Sequence, residues 1–283
     1  MREEDMMSKV AVLGPPGTFT EKAAQKYLKI QNLDSELTYF TSLRKTFDAV
    51  GKDCILGVIP IENTLDGFVQ MILDLLTNSE LKIIHEIVLP IRFGFVSNCQ
   101  LSDVKNIYTQ FKSRNQCLDF LEQFSDQRII TTDSNSESYE TVLHGGCSDG
   151  AIIPMHLITE ESKFSTVVED VADSIDNQTR FIVLSKELNV EDSFDKHWKT
   201  LLVIHDDSDR PGLLVDILNF FSNEGINLIS IISRPTKSGL GNYNFFIDVE
   251  GCYQRNEVVK KAIERVTKDY GIQVLGSYYR VAQ

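Results

Sequence analysis

A Thr hydroxyl and an Arg guanidinium stand side by side at Thr179-Arg180, within Asp176-Asn177-Gln178-Thr179-Arg180-Phe181 and directly before the apolar Ile182-Val183-Leu184. A Thr hydroxyl is no strong acid, yet it can donate a hydrogen bond to a departing hydroxyl. Arg can grip a carboxylate through two parallel N–H donors. Local sequence by itself favours a plainer reading, an edge-strand Thr beside a surface Arg that pairs with Asp170, Asp173 or Asp176. Two further polar turns fall where short apolar runs stop, Gly14-Pro15-Pro16-Gly17-Thr18-Phe19-Thr20 and Pro60-Ile61-Glu62-Asn63-Thr64. Glycines between a strand and a helix let backbone N–H groups approach an anion, although an isolated Gly-x-x-Gly more often serves a tight connection. The first turn lacks the Lys of a P-loop and the third Gly of a dinucleotide fingerprint. Asn63 and Thr64 could bind carboxylate or carbonyl oxygens with Glu62 orienting them, or could cap the helix that follows. Three polar turns at strand ends suggest one cleft assembled from distant parts of the chain.

The elements around these turns read as α/β. Val10 to Leu13 is a buried strand, and Thr18 with Glu21 has capping-box spacing, which starts a helix running to about Leu28. A strand from Cys54 to Ile59 is expected to stop at Pro60, which cannot donate to a ladder. Val69, Ile72, Leu73 and Leu76 then line one face of a helix from Gly67 to Leu76. A second lobe from about Leu89 to Glu160 holds strands at Ile91 to Val96, Val104 to Tyr108 and Ala151 to Ile153, with a helix from Asn115 to Phe124. Thr179 to Leu184 returns to one of the lobes. Two lobes with crossing connections place a cleft between them.

Lys186 to Lys196 suits a linker. Beyond it, strands at Thr200 to His205, Ile226 to Ser233, Tyr243 to Val249 and Ile272 to Tyr279 alternate with two helices. One helix opens at Pro211 and stops at Gly225; the other carries Val259, Ala262, Ile263 and Val266. With a Gly/Ser turn at residues 237–242, the order β-α-β-β-α-β is the ferredoxin-like plan.

Composition limits the function. The 283 residues suit about two domains. The formal net charge is −13, from 28 basic and 41 acidic residues, and no Lys/Arg cluster forms the basic stripe that nucleic acid requires. An anionic substrate must therefore be met by local donors against the global field. No apolar run approaches the roughly 18 residues of a membrane span. The acidic N-terminus leads into no signal-like segment, so a cytoplasmic location is expected. The five cysteines and five histidines are scattered without metal-ligand spacing, and no metal site is expected.

Taken in order, these motifs resemble the monofunctional prephenate dehydratases followed by an ACT regulatory domain, from Lys9 to Val281. The first turn is similar to the family's Gly-Pro-x-Gly-Thr-Phe opening. Pro60-Ile61-Glu62-Asn63-Thr64 is similar to its Pro-Ile-Glu-Asn-Ser, and Thr179-Arg180-Phe181 matches its Thr-Arg-Phe. The resemblance implies a two-lobed, periplasmic-binding-protein-like catalytic domain over residues 8–186 and an ACT domain over 199–281. It implies conversion of prephenate to phenylpyruvate, carbon dioxide and water in phenylalanine biosynthesis, without metal or cofactor. Thr179 would be the catalytic donor. Thr18, Glu62, Asn63, Thr64, Asn135, Ser136, Arg180 and Phe181 would contact substrate. Phenylalanine would bind the ACT domain through Gly212, Leu213, Leu214 and Val215 together with Ser233, Arg234 and Pro235, in a homodimer or homotetramer. The chain departs from the pattern at Thr109-Gln110-Phe111-Lys112-Ser113, where the family has Ser-His-Pro-Gln-Ala. It departs again at Asn135-Ser136, where the family has a Ser-Thr pair, and at Gln178, where it has Thr. Leu213 replaces Ala and Ile232 replaces Glu, so altered phenylalanine affinity is expected. The alternative is a two-lobed binding or sensor protein for an aromatic acid or amino acid that has lost catalysis.

Overall fold

The apolar Val10, Ala11 and Val12 lie wholly inside strand β1 (Lys9–Leu13), which runs parallel to β2 (Glu36–Phe40) on one side and β3 (Leu56–Asn63) on the other. In the computed structural model, which describes residues 9–187, 197–205, 210–236 and 242–280, these strands form a first lobe with β11 (Gln178–Ser185) and β5 (Lys82–Pro90). The returning strand β11 is antiparallel to both β3 and β5. Helices Phe19–Gln31, Leu43–Ala49 and Gln70–Thr77 accompany the sheet. A short strand β4 (Gly67–Phe68) pairs with β3 where the third helix was expected to begin.

The second lobe is a five-stranded sheet in the order β10-β6-β9-β7-β8, built from β6 (Phe93–Ser97), β7 (Asn106–Gln110), β8 (Arg128–Thr132), β9 (Asp149–Pro154) and β10 (Thr166–Val168). The chain crosses between lobes twice, after β5 and before β11. The two crossings are tied together, because Ile91 N–H donates to the Asn177 carbonyl at 2.8 Å and Arg92 pairs with Asp170.

After the second crossing, β12 (Trp198–His205), helix Leu213–Asn223, β13 (Leu228–Pro235), β14 (Tyr243–Glu250), helix Glu257–Asp269 and β15 (Gly271–Arg280) follow in order. Their sheet runs β13-β14-β12-β15, wholly antiparallel, which is the ferredoxin-like arrangement. Gly212 (φ +88°) starts the first helix and Gly225 (φ +68°) follows its end, both in the left-handed region that favours glycine. The last two residues of β15 pair in parallel with β5, Tyr279 with His85 and Arg280 with Glu86. The first lobe and the C-terminal module thus share one continuous sheet. They also share a core: Ile59, Leu73 and Leu184 pack in one cluster with Leu201, Val203, Phe246 and Tyr278. The module's other face buries Leu202, Ile204, Ile217, Phe221 and Ile263 under its own helices.

Two expectations are corrected. Strand β3 does not stop at Pro60 but continues to Asn63. The register against β11 shifts between Arg180 and Phe181, so a bulge absorbs the ladder bond that proline cannot donate. The skipped Ile61 carbonyl accepts from Val69 N–H at 2.8 Å instead. The single helix from Asn115 to Phe124 is two short ones, Phe111–Asn115 and Leu118–Leu121. The Asp173 carboxylate accepts from Leu118 and Asp119 N–H at 2.9 and 3.1 Å, capping a fresh start. The linker at 188–196 and most of the turn at 237–242 lie outside the described residues.

Candidate active site

The end of β3, the end of β5 and the start of β11 meet at one edge of the first lobe. Thr179 lies there between Asn63 and Leu89. Ligands in open α/β sheets sit beyond the carboxyl ends of strands, which is where this edge faces the second lobe.

Asn63 organises the edge. Its Oδ1 accepts from Leu65 and Asp66 N–H at 2.9 and 3.0 Å. Only a carbonyl oxygen can fill that position, so the opposite atom is the amide nitrogen. The two N–H groups of that nitrogen are shared among Thr179 Oγ1 at 2.9 Å, Asn177 Oδ1 at 2.8 Å and the Gln178 carbonyl at 3.1 Å. Thr179 therefore uses its oxygen as an acceptor. Among the described residues its own hydroxyl proton meets no acceptor. A hydrogen bond received at the oxygen polarises the O–H and strengthens it as a donor. Thr64 locks the two strand ends together, since its N–H donates to the Gln178 carbonyl at 2.9 Å and its hydroxyl accepts from Gln178 N–H at 3.0 Å.

Sequence reasoning missed Asn177 as a site residue, although it lies inside the run first singled out. It is buried, and its Nδ2 donates to Gln116 Oε1 of the second lobe at 2.9 Å. Lodged in a crossing segment, it is bonded to both lobes. A polar amide beside an apolar strand was the available signal.

From the second lobe, Asn135 and Ser136 begin the helix Asn135–Leu143, capped by the Ser134 hydroxyl. Asn135 Oδ1 accepts from Ser113 Oγ at 2.6 Å, and Ser136 Oγ donates to the Pro16 carbonyl across the lobes. Gln110, standing where the family pattern has His, caps the helix Phe111–Asn115 through Oε1. Lys112 reaches Asp66 across the groove at 3.3 Å, with both side chains exposed.

His156, unassigned by sequence, joins this contact. Its Nε2 lies 3.1 Å from the Gly17 carbonyl, an acceptor only, so Nε2 carries the proton. Its ring lies edge-on to Phe19 at 5.0 Å. Nδ1 is buried and finds no partner among the described residues. Burial, with Lys22 nearby, lowers the imidazole pKa to about 4, so the ring is neutral. Gly17 is required on two counts: φ is +88°, and a Cβ would stand 2.7 Å from Ser136 Oγ. Thr18 takes the capping role, accepting from Glu21 N–H at 3.2 Å and donating to the Leu13 carbonyl at 3.0 Å.

Three expected substrate contacts do not face the groove. Arg180 turns to the opposite side of β11, where its Nε lies 2.9 Å from Glu62 and its Nη1 lies 3.0 Å from Asp248 and 3.4 Å from Glu86. Strand alternation is the cause, because neighbours on a strand point to opposite faces. Glu62 follows Arg180 and orients it rather than the groove donors. Phe181 is fully buried among Val10, Val12, Ala23 and Val58 and is a core residue. Burial opposes the Arg180 charge, but the surrounding Tyr278, Asp248, Glu86 and Glu62 outweigh it and raise the pKa above its ordinary value.

At the C-terminal module, His205 and Arg234 both pair with Asn244, which puts the two expected effector turns at one end of its sheet. Gly212 starts the helix with open space around its Cα, and Val215 is exposed. Leu213 is buried in the module's core and Leu214 packs against that core. Ser233 and Pro235 are exposed on β13. Arg234 is engaged bidentately by Asp74, at 2.9 and 2.8 Å, and by Gln70 at 2.8 Å, both on the first lobe's helix Gln70–Thr77. No helix among the described residues is long and apolar enough to cross a membrane.

Comparison with known proteins adds to this geometry. A family model described as prephenate dehydratase matches residues 10–189, and one described as ACT domain matches 207–267. The chain is 32% identical to a bifunctional chorismate mutase/prephenate dehydratase of Aquifex aeolicus, covering 95% of this chain and 73% of that protein. It is 30% identical to a prephenate dehydratase of Methanocaldococcus jannaschii, covering 93% and 95% respectively. Among solved structures, prephenate dehydratase from Arthrobacter aurescens in complex with L-Phe superposes with a TM-score of 0.83 at 29% identity, covering 96% of this chain and 90% of that one.

Proposed function

The chain belongs to the prephenate dehydratase family, and on that premise we propose how its groove and its ACT domain work. It is a lyase that converts prephenate to phenylpyruvate, carbon dioxide and water. The ring carboxylate leaves as carbon dioxide, and its bonding electrons enter the ring as the ring C–O bond breaks. The departing hydroxyl takes up a proton and leaves as water. Aromatisation supplies the driving force, so the protein chiefly assists that departure.

Thr179 is the donor to the leaving oxygen, with its proton replenished from solvent. The observation that carries this reading is the Asn63–Thr179 hydrogen bond of 2.9 Å, which occupies the oxygen and leaves the proton free. Such assistance contributes about 10²–10⁴-fold, with positioning and preorganised donors supplying the remainder. Asn63 and Asn177 hold the donor. Thr64, Thr18, Asn135 and Ser136 line the two sides, with the Asn135 amide nitrogen offered to substrate oxygens. The Thr18 and Ser136 hydroxyl protons are held by the Leu13 and Pro16 carbonyls, and Lys112 offers a cation at the rim. The domain of residues 8–186 carries the reaction, and that of 199–281 regulates it.

The test is phenylpyruvate formation from prephenate by the purified protein. Turnover in the parent, abolished in Thr179→Ala and largely kept in Thr179→Ser, is expected. Full activity in Thr179→Ala removes the residue from this role. Absence of turnover together with tight binding of a cyclohexadienol acid would instead favour a binding protein.

Phenylalanine is the proposed effector, in line with the L-Phe bound to the Arthrobacter relative. The module's edge strand β13 exposes Ile229 and Ile231, which suits pairing with a second copy into a homodimer or homotetramer. Activity that stays flat up to millimolar phenylalanine excludes the regulation, and a monomeric mass in solution excludes the assembly. All five cysteines are free, which supports a reducing, cytoplasmic setting.

A further inference from the structure

Arg180 is where the catalytic strand forms an ion pair with the ACT domain, while Ile182 and Leu184 of the same strand share its apolar core. Its guanidinium is almost wholly buried and meets three carboxylates from three different strands: Glu62 on β3, Glu86 on β5 and Asp248 on β14. Glu86 is itself buried and also holds Lys199 at 2.6 Å and Arg280 at 3.0 Å. Asp248 is equally buried. One of its oxygens takes the Arg180 N–H at 3.0 Å and the other accepts the Tyr278 hydroxyl at 2.6 Å. The cluster balances three cations, Arg180, Lys199 and Arg280, against three carboxylates. Its buried members, Arg180, Glu86 and Asp248, are tolerable in a low-dielectric seam only while paired with one another, whereas the Arg280 side chain at its edge is largely exposed.

The cluster's location gives it leverage. Arg180 follows Thr179 directly, and the ladder between β11 and β3 is irregular between Arg180 and Phe181. At a bulge the backbone loses part of its regular pairing. The extra residue is Ile61 of β3, while β11 keeps its register with β5 from Gln178 to Val183, so side-chain anchors on Arg180 reinforce a strand whose ladder is regular on one side only. Thr179 is held on the groove side by a hydrogen bond from Asn63, whose chain neighbour Glu62 forms an ion pair with Arg180 on the seam side without a hydrogen bond to its Nε. Among the described residues, Asp248 is the ACT-domain side chain that hydrogen-bonds Arg180, with Tyr278 behind it.

We propose that Asp248 is a positioning residue for the dehydration, holding Thr179 in register through Arg180, with Tyr278 fixing Asp248 in turn. On this view the ACT domain completes the catalytic strand as well as carrying the effector site. Strand β14 runs from Asn244, at the effector end, to Asp248 at the seam, so effector binding has a direct route to the donor. The inference rests on the dehydratase reading above.

The test uses the full chain with Asp248→Asn and Tyr278→Phe. Arg280→Gln serves as control, since Arg280 touches Glu86 but not Arg180. Two readouts are taken: kcat and KM for prephenate, and hydrogen–deuterium exchange of the segment 176–185. A misplaced donor slows the chemical step without weakening substrate binding. Asp248→Asn should lower kcat by roughly tenfold with KM within about twofold, and the segment should exchange faster. Tyr278→Phe should do the same to a smaller degree, roughly threefold in kcat, and Arg280→Gln should leave both readouts at parent values. A folded Asp248→Asn protein with parent-like kcat and parent-like protection overturns the proposal. If that variant does not stay folded, the same result for Tyr278→Phe overturns it. If the parent fails to turn over prephenate, the functional reading fails, while the exchange readout still judges Asp248.

Discussion

Thr179 and Arg180 are neighbours in the chain but serve two unlike regions. The groove around Thr179 is partly open and built mostly from neutral groups: Asn63, Asn177, Thr64, Gln116, Asn135 and Ser136. The seam around Arg180 is closed and ionic, with Glu86 and Asp248 wholly buried. The difference follows from where charge is supplied. Prephenate brings its own negative charge to a chain of formal net charge −13, so carboxylates facing the groove would repel it. Hydroxyls and amides are able to meet its oxygens without that cost. The buried carboxylates of the seam are neutralised from within the protein, by Arg180, Lys199 and Arg280. Alternation along one strand keeps the two environments apart.

Breaking each side should therefore give a different phenotype. On the groove side, Thr179→Ala removes the proposed donor together with one acceptor of the Asn63 amide, which keeps Asn177 and Gln178 as partners. A drop in kcat of about 10²–10⁴ is expected with the melting temperature nearly unchanged, read by steady-state kinetics and thermal denaturation. On the seam side, Arg180→Met strands buried carboxylates. A stability loss of about 3–5 kcal/mol is expected from urea unfolding. If Arg180→Met leaves stability intact and only raises KM for prephenate, the guanidinium faces substrate after all and the comparison fails.

The two sides were not equally legible in the sequence. The ferredoxin-like order was readable because each strand of the module alternates with an amphipathic helix and glycines mark the ends at Gly212 and Gly225. The groove was readable from its turns, since Asn63, Thr64 and Thr179 each follow or precede an apolar strand. The seam was not. Asp248 and Tyr278 lie more than sixty positions from Arg180 and carry no local mark; only the tertiary pairing of β15 with β5 brings them together. Pro60 misled for a related reason, because a bulge set by β11 rescues a proline that would otherwise end a strand. His156 was also silent in sequence, as only the folded lobes place its ring against Gly17.

Acid should separate the regions further. His156 titrates near 6.5 when unfolded and at about 4 in the folded chain. Between those values the unfolded chain binds the extra proton, so stability falls as pH drops through this window, and the loss is complete below about 4. The physical origin is Nδ1, which would have to carry the added proton where it has no acceptor among the described residues. The cost is at most about 3 kcal/mol. Glu86 behaves differently. Burial raises its pKa, but Lys199, Arg180 and Arg280 outweigh this and lower it. Its contribution is in full force above the unfolded carboxylate value of about 4.3 and is lost only as pH falls through the depressed folded value. Unfolding curves at successive pH values should show His156→Gln flattening the slope between pH 6.5 and 4 and leaving the steeper loss below it.

Salt gives the smallest and sharpest contrast. Arg234 also links the ACT domain to the first lobe, through Asp74 and Gln70, but its side chain and that of Asp74 remain partly accessible, at 16% and 26%. Bidentate geometry raises the value of the pair, and exposure lowers it, so Arg234→Ala should cost about 1 kcal/mol. Ions screen accessible pairs over a Debye length of roughly 3 Å at 1 M salt and reach buried ones far less. The cost of Arg234→Ala should therefore shrink by about half at 1 M salt, while that of Arg180→Met should hardly change. Equal salt sensitivity for the two would mean that water penetrates the seam, and Asp248 would then have little power to hold Thr179 in place. Measuring the two variants side by side at low and high salt decides whether the domains are joined by one rigid cluster with a looser tether beside it, or by two tethers of the same kind.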